Sequence, residues 1–170
     1  FPYTTLFRSQ TSNEPRWLVE GRKYIGQMEI KGSRHNPLLL QFWKDIHRAG
    51  IKDDETPWCA AYVGSMLERV GIKSTRFESA KSYLNWGVQL REPAYGCVVV
   101  FSRNGGGHVG FVVGLHQNGD LMVLGGNQSD AINIRAFSRS RVTGYRWPVN
   151  EPRDSRMLPL MNGTSSVKES

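Results

Sequence analysis

The sequence predicts an α+β domain, with helices first and an antiparallel sheet of five to six strands after them. Three observations carry this. Apolar residues recur at helical spacing up to about residue 87. Beyond Pro93 the pattern changes to β-branched runs separated by short glycine-rich turns. One of those turns is Asn118-Gly119, a strong two-residue hairpin signal between apolar runs. Helices followed by a run of hairpin-connected strands give a layer of helices on one side of a meander sheet.

Taken in order, residues 1–12 are set apart as an unstructured or artefactual N-terminus. Residues 1–9 have no period that continues into the chain, and they resemble the translation of a sequencing adapter. The domain is expected over 13–148. Asn13 or Glu14 with Pro15 opens a first helix through Trp17, Leu18, Gly21, Tyr24 and Ile25, and Gly26, Gly32 and Ser33 mark loop. Pro37 opens a second, with Leu39, Leu40, Phe42, Trp43 and Ile46 apolar, which Gly50 ends. Asp53, Asp54 and Glu55 put acid ahead of a third. There Cys59, Tyr62, Val63, Met66, Leu67 and Val70 form one apolar face and Gly71 sits where a C-terminal cap glycine belongs. A short fourth helix is expected over about 79–86.

The strands follow: Cys97-Val98-Val99-Val100-Phe101, buried on both faces; residues 108–115 after Gly105-Gly106-Gly107; residues 121–124, closing on Gly125-Gly126-Asn127-Gln128; residues 132–137, alternating and half-exposed; and residues 142–147, stopped by Pro148. From 149 to 170 the composition is polar and a flexible C-terminal tail is expected.

Of 170 residues, 39% are hydrophobic and 22% charged, within the range of one globular domain. No apolar run reaches the roughly 18 residues of a membrane span, and no basic segment followed by an apolar run marks a signal peptide. Two cysteines give no disulfide framework, and the four histidines fall in no zinc-ligand spacing. The net charge of +7 suits an anionic partner, but no Lys/Arg block concentrates it as a nucleic-acid site would. A monomer without membrane insertion, specific nucleic-acid partner, metal or cofactor is expected.

Chemistry points to Cys59. A cysteine in the first turn of a helix meets main-chain N–H groups that favour a thiolate, although most cysteines are simply small buried hydrophobes. His108 is the candidate base, as the first residue of a strand directly after three glycines, where the sheet opens at an edge; an exposed turn histidine is the bland alternative. Asn127 is the candidate orienter of the ring. In the 118–119 hairpin it flanks the same open end as His108, and its carboxamide can fix the imidazole tautomer. Gln128 is a weaker candidate for that role. His35, His47 and His116 are read as surface residues, and Cys97, in an apolar strand, as inert.

Cys at a helix start, His on a strand and Asn ending the next strand is the chain order of papain-like folds. The strings Thr56-Pro57-Trp58-Cys59-Ala60-Ala61-Tyr62-Val63, Gly105-Gly106-Gly107-His108-Val109-Gly110-Phe111 and Leu124-Gly125-Gly126-Asn127-Gln128 narrow it. Between about Pro15 and Pro148 the chain resembles the phage- and prophage-associated branch of the CHAP family, the cysteine- and histidine-dependent amidohydrolases and peptidases, whose neighbours are the NlpC-type wall hydrolases. The resemblance implies a peptidoglycan hydrolase of endolysin type. It would act as an N-acetylmuramoyl-L-alanine amidase or a stem-peptide endopeptidase, on the bacterial cell wall after release or export. Cys59 would be the nucleophile, His108 the base and Asn127 the orienting residue. Many members carry glutamate two residues before that asparagine; here the position is Gly125, so no glutamate role is assigned. The family often has aspartate where this chain has Cys97. Two alternatives keep the scaffold and change the function: a protein-directed cysteine protease or acyltransferase, separable by digestion of purified peptidoglycan, and a non-catalytic wall-binding module, separable by thiol alkylation kinetics.

Overall fold

The structure is a computed structural model that describes residues 13–32, 34–53 and 57–162. Among the described residues three α-helices come first: α1 (Arg16–Arg22), α2 (Pro37–Asp45) and α3 (Cys59–Arg69), followed by a 3₁₀ helix (Ala80–Asn85). The strands are β1 (Val88–Leu90), β2 (Val98–Arg103), β3 (Gly106–His116), β4 (Leu121–Gln128), β5 (Ala131–Phe137), β6 (Val142–Trp147) and β7 (Leu160–Met161). The sheet order is β1-β6-β2-β3-β4-β5, antiparallel throughout, and β7 adds to β3 in parallel. The expected α+β layout is observed, with seven strands rather than five or six. The short β1 and β7 carry too few residues to show a period of two.

Pattern and structure part company in four places. The second helix stops at Asp45 rather than near Gly50, and His47 turns the chain with φ 64°. The fourth helix is 3₁₀, closed by Gly87 at φ 66°, where a Cβ would lie 2.4 Å from the Trp147 carbonyl oxygen. Residues 26–29, read as loop, run along β5 through a Met28–Ala131 bridge and cover that sheet edge. Finally, the segment after residue 149 packs on the domain as far as residue 162. Trp147 Nε1 donates to the Glu151 carbonyl, Arg156 donates to the Asn13 carbonyl and stacks over Tyr95 at 4.3 Å, and Leu160–Met161 pairs with β3. These contacts are mostly polar, so hydrophobic patterning could not register them. The remaining tail, the N-terminal segment and Asp54-Glu55-Thr56 lie outside the described residues.

The core forms between α3 and the sheet. Every residue from Cys59 to Leu67 is buried, so α3 is enclosed on all sides rather than amphipathic. Its small residues make that enclosure fit. A Cβ on Gly64 would stand 2.6 Å from Ile46 Cγ2, and Tyr62 reaches past Ala61 to donate its hydroxyl to the Gly21 carbonyl of α1 at 2.9 Å. Tyr62 also meets Phe42 of α2 and Phe111 of β3 edge-on. One aromatic residue thus ties three elements to the helix that begins with Cys59. No helix among the described residues is long and apolar enough to cross a membrane.

Candidate active site

Cys59 is the first residue of α3 and Trp58 is its N-cap, with Pro57 one residue earlier. Trp58 is fully buried against Gly126, where a Cβ would lie 2.6 Å from the indole, so the start of α3 is pressed onto the end of β4. The main-chain N–H groups of Val109 on β3, of Ala60 and of Cys59 itself act on the Cys59 thiol in favour of its thiolate. Val109 directly follows His108, so the start of α3 faces the strand expected from the sequence.

The thiol is not acidic in this enclosure. Only 4% of Cys59 is exposed, and burial pushes its thiol up from the ordinary value. The Val109 N–H, the positive charge of Arg103 and the two helix-start N–H groups pull the other way without overcoming it. The helix-start argument identified the donors correctly but not the desolvation that outweighs them. Cys97, also in the core, is pushed up to about 12 by burial, with only the N–H groups of Ala94 and Cys97 opposing. Its carbonyl accepts from Val112 of β3, four residues along from His108, and the residue is fully buried, as its apolar surroundings suggested.

His108 differs from the sequence expectation in position and exposure. It is the third residue of β3 rather than the first, since the strand starts at Gly106, and β3 lies between β2 and β4 in the sheet. The residue is 1% exposed. Its ring is stacked on Phe137 at 5.2 Å and on Phe101 at 6.2 Å, so its plane is set by two aromatic faces.

The carboxamide that reaches this ring belongs to Gln128. Its Oε1 lies 3.0 Å from His108 Nε2. Asn127 is buried but makes no such contact. The reason lies in the strand. Register between β3 and β4 pairs Phe111 with Leu124, and continued to His108 it lands on Asn127. Between Gly125 and Gln128, however, β4 bulges away from its ladder with β5, and Asn127 takes a left-handed φ of 59°. The bulge re-aims the next side chain, and Gln128 swings back under the ring. Gly125 leaves the room: a Cβ there would lie 2.3 Å from Gln128 Oε1 and 3.6 Å from His108 Nε2. The amide therefore fills the space that a side chain at position 125 would otherwise occupy.

Asn133, which the sequence reading did not select, completes the set. It accepts from Gln128 Nε2 and donates to the Gln128 carbonyl. On β5 it appeared only as a polar member of an alternating strand. Among the described residues no three His, Cys, Asp or Glu side chains gather as a metal site.

A cysteine at a helix start, set against the strand of a histidine whose ring is braced by stacking and by an amide, is an arrangement suited to thiol acyl transfer. The family model of the CHAP domain matches residues 51–127, a stretch that includes Cys59, His108 and Asn127 and stops one residue short of Gln128. CHAP domains are generally cysteine- and histidine-dependent hydrolases, and the match supports a cysteine-peptidase-type function directed at peptidoglycan. A search of curated proteins returns no match.

Proposed function

We propose that the chain is a peptidoglycan hydrolase, endolysin-like in action. It would cut an amide bond either between muramic acid and alanine or within the stem peptide. The observation that carries this is the place of Cys59, at the first turn of α3, with the N–H of Val109, the residue after His108, acting on its thiol. The CHAP match over residues 51–127 supports the substrate class. The net charge of +7 adds attraction toward an anionic wall.

In this reading Cys59 is the nucleophile and His108 the general base. Burial holds the resting thiol protonated, so the thiolate arises by proton transfer to His108 inside the enclosure rather than by exposure to water. The thiolate attacks the amide carbonyl carbon, and the Cys59 N–H at the helix start is placed to meet the developing oxyanion. The His108 imidazolium protonates the leaving amine. Water, deprotonated by His108, then hydrolyses the thioester and frees the thiol. The carboxamide under the ring orients it, and the domain works as a monomer without cofactor.

The test is digestion of purified peptidoglycan with mass spectrometry of the released fragments. Wild type should release fragments with a new amine terminus at one defined bond, and Cys59→Ala should release none while keeping its thermal unfolding curve. Digestion at the wild-type rate by folded Cys59→Ala would refute the thiol mechanism. Absence of digestion, with a reactive Cys59 still present, would point to a protein substrate instead.

A further inference from the structure

The donors and acceptors beneath His108 can be assigned one after another, starting from a main-chain oxygen whose role is fixed. Asn133 turns one end of its amide to the Gln128 carbonyl oxygen at 2.8 Å. A carbonyl only accepts, so that end is Nδ2 and the other is Oδ1. One end of the Gln128 amide then faces three acceptors: Asn133 Oδ1 and Asn133 O at 2.9 Å each, and Val123 O at 3.2 Å. That end must be Nε2, since the reverse orientation would bury oxygen against three oxygens with no donor between them. Gln128 Oε1 is thus the atom presented to His108 Nε2 at 3.0 Å, and an oxygen there requires a proton on Nε2. In the neutral ring the lone pair is then on Nδ1, the nitrogen nearer its own main chain, whose next residue, Val109, supplies an N–H that acts on the Cys59 thiol.

We propose that Gln128, rather than Asn127, is the positioning residue of this site, and that Asn133 locks it in the one orientation that keeps His108 as the Nε2–H tautomer, leaving Nδ1 to exchange the Cys59 proton. The pair is a neutral two-amide brace. It holds the ring without placing a carboxylate beneath it, which the glycine at 125 also excludes. Asn127 contributes its left-handed backbone at the bulge, not its side chain. The part played in turnover rests on the hydrolase reading; the tautomer does not.

The test uses the full chain labelled with ¹⁵N, with the His108 ring signals identified by their loss in His108→Ala. Wild type above the imidazole pKa should show the Nε2–H tautomer. Asn133→Ala should give a mixture of tautomers and slow iodoacetamide alkylation of Cys59 near neutral pH by about tenfold, and Gln128→Ala by about 100-fold, the scale of a misplaced reacting group. Asn127→Gly keeps the left-handed backbone and removes the side chain, and should leave the tautomer and the alkylation rate within about twofold of wild type. An Nδ1–H tautomer in wild type would overturn the proposal, as would a tautomer that responds to Asn127→Gly and not to Asn133→Ala. Should Gln128→Ala fail to fold, the wild-type spectrum and the Asn133 and Asn127 variants decide the matter. A correct tautomer in a protein that leaves peptidoglycan intact would defeat the proposed substrate and keep this assignment.

Discussion

The two ends of α3 are held by opposite chemistry. At its start, Cys59 is set among main-chain N–H groups, a histidine stacked on phenylalanines and two neutral amides, with Arg103 the one charge that acts on its thiol. At its other end, Glu68 and Arg69 are bound into ion pairs. Arg69 Nε lies 2.9 Å from Asp45 of α2 and its guanidinium reaches Glu20 of α1, stacking on Tyr24 and Phe42 along the way. Glu68 pairs with Arg76 at 2.9 Å and accepts from Ser74. In the proposed hydrolase reading the difference matches what each end must do. A proton has to pass between Cys59 and His108 there, and the amide brace sets the ring's orientation without adding a carboxylate beneath it. A helix end that only has to stay docked gains from charges that never change state near neutral pH. Substitutions at the neutral end should therefore cost activity more than stability, and those at the charged end the reverse.

The sharpest way to break that comparison is Gly125→Ala. The added methyl would meet Gln128 Oε1 at 2.3 Å, on a core strand with little freedom to yield, and push the amide from under His108. Amide hydrolysis should fall by about 100-fold, the scale of a misplaced catalytic group. The ion pairs at the far end of α3 should be undisturbed, and the unfolding midpoint should drop by only a few degrees. The measurement is wall hydrolysis alongside thermal unfolding. Equal, large losses in both would show that the neutral end is as structural as the charged one.

Much of the fold around α3 was visible in the sequence, and the missing part has a common cause. The helix that starts at Cys59, the β2–β3–β4 meander and the hairpin at Asn118-Gly119 all follow from local periodicity and turn chemistry, which act over a few residues. His108 and Cys59 were selected because a glycine run before a strand and a cysteine at a helix start are local signals too. The choice between Asn127 and Gln128 was not local. Counting back from the hairpin assumes an unbroken ladder, and a bulge of one or two residues is enough to bring the next side chain under the ring instead. Asn133 was hidden for the same reason, since its partner lies across β4–β5. The raised thiol was missed because desolvation depends on how completely α3 is enclosed, which no single helix pattern reveals.

At the charged end the comparison predicts the reverse outcome. Asp45→Ala removes the acceptor for Arg69 Nε and for the buried Ser65 hydroxyl, which donates to it at 2.6 Å. Breaking a buried pair by removing one partner costs about 3–5 kcal/mol. Both side chains here keep some solvent contact and Arg69 retains Glu20, so about 2 kcal/mol is expected. That corresponds to a midpoint lowered by roughly 4–8 °C for a chain of this size. Alkylation of Cys59 at 25 °C should stay within about twofold of wild type, the reference scatter for a distant site. A matching loss of thiol reactivity would show that the two ends of α3 are coupled rather than separately built.

The smallest effect concerns pH and separates the charged end most cleanly. Burial works to raise the Glu68 carboxyl, but the bonds from Arg76 and Ser74 outweigh it and hold the group at about 2, well below its usual 4.5. A carboxylate with a lowered folded-state value stabilises the protein most at pH above its unfolded value. That stability is lost as pH falls through the window from about 4.5 toward about 2. The full shift would correspond to about 3 kcal/mol, and the partly exposed Arg76 partner reduces this to about 1–2 kcal/mol through solvent screening. Glu68→Gln keeps the shape and removes the titration. Unfolding of both proteins from pH 7 to pH 3 should show wild type more stable by about that amount at neutral pH, with more than half of the gap gone by pH 3. The neutral brace under His108 contains no carboxylate, so Gln128→Ala should show no change of its stability deficit across the same acid window. A deficit at Gln128 that tracks pH as Glu68 does would mean that a carboxylate is coupled to the brace under His108 after all.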